Sequence, residues 1–249
     1  MRLPKHSMAE GWAAVPFDAT MEPMESTATL GDLTWTEVES QSSIVVIPVG
    51  SLEQHGPHLP LDTDTRIAVA LAAHVCGLRA DLLLGPTIAV GSSGEHAGFP
   101  GTMSIGTDAL TTVLVELARS ADSFRGVVYV NGHGGNLDAV LAARAILHHE
   151  GRTVVAWSPS IPGGDAHAGH SETSILLALD PTCVRIDAME PGVDAPIGEL
   201  LETLQNEGVG AVSPNGILGD PTSASAAHGN ELFLTLVADL ARTIDKVFG

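Results

Sequence analysis

The sequence places a carboxylate and an imidazole two residues apart, at Glu53 and His55, and a second carboxylate nine residues after the histidine, at Asp64. These residues follow the apolar run 44–49 and a Gly-Ser pair, so a buried strand would deliver them to one loop. Carboxylate oxygens combined with imidazole nitrogens suit zinc, manganese or iron(II) better than calcium or magnesium. The segment therefore indicates a metal site, although Asp64 also suits the cap of a following helix.

A second candidate ligand, His133, lies in the glycine-rich segment Asn-Gly-His-Gly-Gly-Asn at residues 131–136. A phosphate-binding loop is the alternative, but the segment lacks the Lys-Ser/Thr pair of a P-loop and does not complete the Gly-x-Gly-x-x-Gly pattern. Its glycines would let the backbone approach a ligand closely. These features favour metal binding by His133 over phosphate binding.

A third polar segment, residues 165–174, contains His167 and Glu172. Glu172 is a candidate for a last metal ligand, and His167 is a candidate general acid or base because imidazole titrates near neutral pH. The alternative is a helix start, in which a hydroxyl at 171 or 173 caps the helix and Glu172 fills its first turn. The segment Gly-Glu-His at 94–96 also stays open, since an exposed loop explains it as well as a substrate contact does.

The rest of the chain alternates short apolar runs with segments of helical periodicity. The runs predict strands at 44–49, 82–84, 126–130 and 153–157. The periodic segments predict helices at 30–39, 65–76, 107–120 (capped by Thr107), 136–149, 172–179 and 226–248. This alternation implies a parallel sheet with helices on both faces, in which ligands bind beyond the carboxyl ends of the strands. All three polar segments follow predicted strands, so we expect them to meet there.

Residues 1–28 show no periodicity and predict a disordered N-terminal extension, so that residues 29–249 form the folded domain. The formal net charge of −19 argues against a nucleic-acid partner, because neutralising phosphates takes clustered Lys and Arg. It favours cationic ligands such as divalent metals. No apolar run is long enough to span a membrane, and the N-terminus lacks the apolar core of a signal peptide. We therefore expect a cytoplasmic protein without a membrane partner.

Taken together, these segments resemble the creatininase (creatinine amidohydrolase) family across roughly residues 30–248. The segment 48–61 is similar to that family's first metal motif, and 99–102, 131–133 and 172–174 are similar to its later motifs. The resemblance implies a three-layer α/β/α fold with a mostly parallel central sheet, a dinuclear metal centre and hydrolysis of a C–N amide-type bond. It implies two divalent ions, zinc or iron(II) or both, with manganese as a further option. The family's habit also implies a homo-oligomer.

The same resemblance assigns roles to the four candidate ligands of the first two segments. Glu53 and His133 correspond to ligands of one metal. His55 corresponds to a ligand of the other metal, and Asp64 to the bridge between the two. These roles are consistent with the carboxylate and imidazole chemistry of the four side chains.

The chain departs from creatininase at two positions. Creatininase completes its second metal with a glutamate where this chain has Gly135, and Glu172 is the candidate that replaces it. His167 corresponds to the histidine that assists protonation of the leaving group. The acidic residue beside that histidine in creatininase is Ala166 here, which argues against creatinine as the substrate.

Within the family, residues 91–102, 167–174 and 213–222 resemble the peptidase subgroup of mycofactocin biosynthesis. This implies a metal-dependent peptidase that releases the modified C-terminal Val-Tyr unit from a ribosomally made precursor peptide of a redox cofactor. The alternative within enzymes is a creatininase-type amidohydrolase acting on a small cyclic amide. A metal-dependent scaffold without turnover is a third hypothesis, which a metal centre with solvent-accessible positions disfavours.

Overall fold

Four parallel strands form the central sheet in the computed structural model, which describes residues 29–39 and 41–249. The strands are β1 (Ile44–Val49), β2 (Leu82–Leu84), β3 (Gly126–Asn131) and β4 (Val154–Trp157), in the spatial order β2-β1-β3-β4. β1 and β3 pair in the centre over their whole length, from Ile44 with Gly126 to Val49 with Asn131. The predicted parallel α/β fold is confirmed, whereas the extension predicted at 1–28 lies outside the described residues.

The described residues form eight α-helices around this sheet. They are α1 (Trp35–Glu39), α2 (Thr63–Leu78), α3 (Thr107–Arg119), α4 (Leu137–His149), α5 (His170–Leu179), α6 (Ile197–Glu207), α7 (Val209–Val212) and α8 (Ala226–Phe248). The helix predicted at 30–39 is instead a 3₁₀ turn, Leu30–Asp32, followed by α1. A new helix starts there because the carboxylate of Glu37 accepts hydrogen bonds from the backbone N–H and the hydroxyl of Thr34.

One predicted cap was wrong, one alternative is excluded, and two helices were missed. α3 begins at Thr107 itself and has Gly106 at its cap position, with a φ of 76°. Asp64 is not the cap of α2, because the helix begins at Thr63 and Asp64 lies in its first turn. α6 and α7 were not predicted, since they lie in a stretch with Pro and Gly at their boundaries and α6 buries only Leu204.

The helices cover both faces of the sheet, as the alternation of the β1 side chains requires. Ile44 and Val46 face one core, which α2, α5 and α8 complete. Val45, Ile47 and Val49 face the other core, which α3 and α4 complete. The result is the expected three-layer α/β/α arrangement. None of the helices within 29–39 and 41–249 combines the length and apolar character needed to cross a membrane.

The loops beyond the strands pack closely against one another at the carboxyl edge of the sheet. At Gly50, directly after β1, a Cβ atom would lie 2.2 Å from Thr65 Oγ1 and 2.5 Å from Thr65 Cα, so only glycine allows this approach to α2. Asn136, beyond β3, donates from Nδ2 to Gly50 O at 2.9 Å and accepts at Oδ1 from Ser92 N at 2.8 Å. These contacts bring the loops after β1, β2 and β3 together.

Candidate active site

Glu53 is the most deeply buried carboxylate at this edge. Its side chain has 0 % exposure, and neither carboxylate oxygen accepts a hydrogen bond. Two ring nitrogens lie close by, since Oε1 is 3.2 Å from His96 Nε2 and Oε2 is 3.0 Å from His133 Nε2. A buried carboxylate without hydrogen bonds is costly unless a cation compensates its charge. Glu53 therefore fits a metal ligand, as the sequence predicts.

Asp64 lies between two histidines, with one carboxylate oxygen toward each. Its Oδ1 is 3.1 Å from His55 Nε2, and its Oδ2 is 3.2 Å from His133 Nδ1. Ser51 Oγ donates to the same Oδ2 at 2.7 Å and holds the carboxylate in place. Burial alone would raise the pKa of Asp64, but charge on His55 and hydrogen bonds from both histidines hold it well below its usual value. The two oxygens thus face two different histidines, an arrangement compatible with the bridging role that the resemblance implies.

His55 presents one nitrogen to the site and anchors the other. Its Nδ1 lies 3.1 Å from Glu53 O, and because a carbonyl only accepts, Nδ1 carries the proton and leaves Nε2 toward Asp64. Burial would lower the pKa of His55, but Asp64, Glu172 and Glu53 together raise it to about 9. A strongly negative surrounding that attracts a proton also attracts a metal ion.

Glu172 approaches the same nitrogen from α5. Its Oε2 is 3.9 Å from His55 Nε2, and ligand atoms of His55, Asp64 and Glu172 lie within 4.8 Å of one another. Ala168 N donates to this Oε2 at 2.6 Å, and burial raises the pKa of Glu172 to about 7. The alternative of a hydroxyl cap is wrong, since α5 begins at His170 and Asp165 accepts from its first backbone N–H groups.

His167 faces Glu53 with one nitrogen only. Its Nε2 lies 2.8 Å from Gln54 O and 3.0 Å from Gln54 Nε2. Because the nearer carbonyl oxygen only accepts, we place the proton on Nε2, and Nδ1 lies 3.8 Å from Glu53 Oε1. Burial, together with charge on His55 and His96, holds the pKa of His167 well below its usual value. The neutral ring therefore has a free lone pair at Nδ1, which can accept a proton or bind a metal.

The structure adds three residues to the site: Gln54, which the sequence does not single out, and Glu95 and His96, for which a substrate contact and an exposed loop stayed open. His96 is 3 % exposed, so the alternative of an exposed loop is wrong for it. Gln54 Nε2 lies 3.0 Å from His96 Nδ1, and Glu95 Oε1 lies 3.3 Å from His133 Nε2. The sequence signal that could have indicated this position is the adjacent carboxylate and imidazole of Glu95-His96 in the loop after a predicted strand.

A cavity of about 1500 Å³ opens over these side chains. His96, His133 and His167 line it on the side of the sheet, and α6 and α7 contribute the opposite wall. Five of the described residues that line it are acidic, and none is Lys or Arg. Since pockets for small molecules measure roughly 300–1,000 Å³, the space is large enough for an extended ligand such as a peptide.

Comparisons with known proteins identify the family to which this sequence is similar. The model of the family described as "Creatininase: Creatinine amidohydrolase" matches residues 31–244. The mycofactocin precursor peptide peptidase of Mycolicibacterium smegmatis is 51% identical over 224 residues, which cover 87% of this chain and 90% of that protein. The creatinine amidohydrolase of Pseudomonas putida is 30% identical over 208 residues, which cover 70% of this chain and 78% of that protein.

Solved structures of creatininases share the fold. A mutant creatininase described as the Zn-Zn type superposes with a TM-score of 0.74 at 26% identity and covers 90% of this chain and 100% of its own. A structure described as "Creatininase Mn" has a TM-score of 0.72 at 26% identity with the same coverage. These descriptions associate zinc and manganese with proteins of this fold.

Proposed function

Since the chain belongs to the creatininase family, we propose that it is a metal-dependent peptidase that releases the modified C-terminal Val-Tyr unit from a ribosomally made precursor peptide in mycofactocin biosynthesis. The observation that carries this proposal is the 51% identity to a mycofactocin precursor peptide peptidase over 87% of the chain. The size of the cavity supports a peptide substrate, because the space exceeds what a small cyclic amide needs.

Five side chains are proposed as the holders of two divalent ions. Glu53 and His133 belong to one ion, His55 and Glu172 to the other, and Asp64 to both, as its two oxygens suggest. Bound there, the ions would polarise the scissile carbonyl and lower the pKa of a water molecule. The mixed oxygen and nitrogen donors suit zinc and iron(II), and also manganese.

His167 is proposed as the residue that moves the proton. Because Gln54 O holds the proton of Nε2, the free Nδ1 can take a proton from the attacking water and return it to the departing amine. Its lowered pKa keeps the ring neutral and ready to accept before each turnover. Ala168, with a φ of 52°, has left-handed backbone and turns the chain between His167 and α5.

Creatininase-type hydrolysis of a small cyclic amide is the second candidate, supported by the 30% identity to a creatinine amidohydrolase. Two positions argue against it. Gly135 and Ala166 replace acidic side chains that the resemblance to creatininase predicts there. The large acidic cavity offers a small cyclic amide little contact.

The proposed function is tested by mass spectrometry of the matured precursor peptide, incubated with the metal-loaded protein in the presence and absence of a chelator. We expect loss of a C-terminal fragment derived from Val-Tyr, and we expect the chelator to prevent it. His133→Ala should abolish the cleavage, whereas His149→Ala, the same change at the exposed end of α4, should leave it intact. An intact peptide, with metal shown to be bound, would favour the small-amide alternative and call for a screen of lactams.

The proposals on oligomeric state, cellular location and class of substrate rest on the family resemblance and on the net charge. We propose that the protein forms homo-oligomers and acts in the cytoplasm. The formal net charge of −19 supports a substrate other than nucleic acid. Size-exclusion chromatography coupled to light scattering tests the oligomer, since a mass near the 25.7 kDa of one chain would contradict it.

A further inference from the structure

We propose that Glu95 is an additional ligand of the metal ion at Glu53 and His133, and that Gly135 leaves the space in which its carboxylate lies. This inference deepens the proposed metal centre and rests on it. Neither the motifs of the sequence nor the family resemblance assigns a ligand at residue 95. Three independent features of the structure point to it.

The first feature is the convergence of donor atoms. Glu95 Oε1 lies 3.3 Å from His133 Nε2, and Glu53 Oε2 lies 3.0 Å from the same nitrogen. Donor atoms of Glu53, Glu95 and His133 all lie within 4.8 Å of one another. Ligands that each lie about 2.0–2.2 Å from one ion in tetrahedral or similar geometry stand roughly 3–3.5 Å apart. The observed distances match that spacing.

The second feature is the chemistry of Glu53. Both of its carboxylate oxygens are buried without a hydrogen bond. Like charges repel strongly away from water, so the carboxylates of Glu53 and Glu95 need positive charge between them. His133 Nε2, which also lies 3.1 Å from Ser92 O, supplies at most one such charge, and only when the ring is protonated. The carboxylates of Glu53 and Glu95 both lie close to His133 Nε2, and a divalent cation between them would explain this arrangement.

The third feature is the space at Gly135. A Cβ atom there would lie 2.3 Å from Glu95 Oε1 and 2.5 Å from His133 Nε2. The backbone of Gly135 is not among the glycines with positive φ, so the absent side chain matters for volume rather than for backbone conformation. A side chain at 135 and the carboxylate of Glu95 therefore exclude each other. In this chain the carboxylate of Glu95 lies in the space that a side chain at 135 would need.

The loop that carries Glu95 is held firmly enough to present a ligand. Glu95 lies in the 3₁₀ turn Gly94–His96, whose buried His96 contacts Gln54 Nε2 at 3.0 Å. On the other side Gly208 packs against this turn, since a Cβ there would lie 2.8 Å from Glu95 O. The turn is thus fixed between the first metal-binding loop and the segment between α6 and α7.

The test is a titration of metal-free protein with Co²⁺, followed by competition with a chromophoric chelator and by the visible absorption spectrum of the bound ion. We expect the wild type to bind two ions. Glu95→Gln should lower the affinity for one of the two ions by more than about 100-fold, because losing a residue that only hydrogen-bonds a ligand already lowers metal affinity roughly 10–100-fold. It should also change the cobalt spectrum, which reports the ligands themselves. Glu207→Gln, the same change at an exposed residue of the cavity wall, is the control and should alter neither.

A second variant guards against an effect of misfolding. Glu95→Asp keeps a carboxylate at residue 95, and we expect it to retain most of the affinity that Glu95→Ala loses. Two bound ions with unchanged affinity and spectrum in Glu95→Gln would overturn the proposal. Weaker binding with an unchanged spectrum would also overturn it, since Glu95 would then only orient His133. A wild type that binds fewer than two ions would instead overturn the proposed dinuclear centre, and peptide cleavage is measured separately.

Discussion

Replacing Glu53 by glutamine separates a metal ligand from a buried ion-pair partner, because the amide keeps the size of the side chain and removes its charge. An ion present at 100 times its Kd stabilises the native state by about 2.7 kcal/mol. Two ions would therefore add about 5 kcal/mol, and in a domain of this size each kcal/mol shifts Tm by roughly 2–4 °C. We expect metal to raise the Tm of the wild type by about 10–20 °C and that of Glu53→Gln by about half as much.

A second, independent expectation concerns the stability of Glu53→Gln in the presence of chelator. Glutamine loses the attraction to His133 but also removes a carboxylate whose oxygens accept no hydrogen bond. These effects offset each other, so the metal-free variant should match the metal-free wild type within about 1 kcal/mol. Differential scanning calorimetry of both proteins, with and without chelator, measures both quantities, and the exposed Glu202→Gln is the control. If metal raises the Tm of Glu53→Gln as much as that of the wild type, Glu53 is not a ligand. If Glu53→Gln is much less stable than the wild type in chelator, Glu53 serves as an ion-pair partner.

Three further outcomes are expected. Gly50→Ala should lower stability by about 1–3 kcal/mol in urea denaturation, because its Cβ would lie 2.5 Å from the Cα of Thr65 and overpack the start of α2. In the presence of chelator, the free energy of unfolding should fall as the pH rises from about 6.5 to about 9, since folding raises the pKa of His55 above its value in the unfolded chain. Urea denaturation of the wild type and of His55→Asn at several pH values should show a steeper fall in the wild type. Equal slopes of unfolding free energy against pH would contradict this role of His55. His167→Ala should lower kcat by about 10²–10⁴-fold while two ions still bind, and loss of an ion instead would make His167 a ligand.

The sheet and the centre of the site were predictable because their signals are local. Strands such as Ile44–Val49 are short β-branched runs, and α8 shows helical periodicity along its length. Residues after β1, β3 and β4 meet because the carboxyl ends of parallel strands share one edge, so a ligand list could be assembled from strand positions alone.

Contacts between distant loops could not be predicted in this way. The turn Gly94–His96 reads as a glycine-rich loop, and its place in the site depends on contacts with Gln54 and Gly208, which lie far away in the sequence. The start of α3 also differs from its predicted cap, because the left-handed backbone of Gly106 rather than the hydroxyl of Thr107 ends the preceding loop. Which element packs on a loop depends on the tertiary structure, and no periodic pattern in a single sequence indicates it.

Gln54 shows how one residue between two predicted ligands controls the protonation of the site. Its amide orientation is fixed by two backbone groups, since Oε1 accepts from Gly56 N at 2.9 Å and Nε2 donates to Gly216 O at 2.9 Å. The second hydrogen of Nε2 has two neighbours at 3.0 Å, His96 Nδ1 and His167 Nε2. Because His167 Nε2 donates to Gln54 O, the hydrogen goes to His96 Nδ1, which places the proton of His96 on Nε2, toward Glu53.

The backbone oxygen of Gln54 fixes the protonation of His167, and there the nitrogen that faces Glu53 is the unprotonated one. Gln54 O lies 2.8 Å from His167 Nε2 and so leaves the Nδ1 lone pair of that ring free. Gly216 makes this possible, because its φ is 80° and a Cβ there would lie 1.8 Å from Gln54 Oε1. Gln54 thus leaves His96 with a protonated Nε2, a donor, and His167 with an unprotonated Nδ1, an acceptor. Both rings face the same oxygen of Glu53, His96 through Nε2 at 3.2 Å and His167 through Nδ1 at 3.8 Å, so the backbone and amide of Gln54 decide which of the two presents a hydrogen to it.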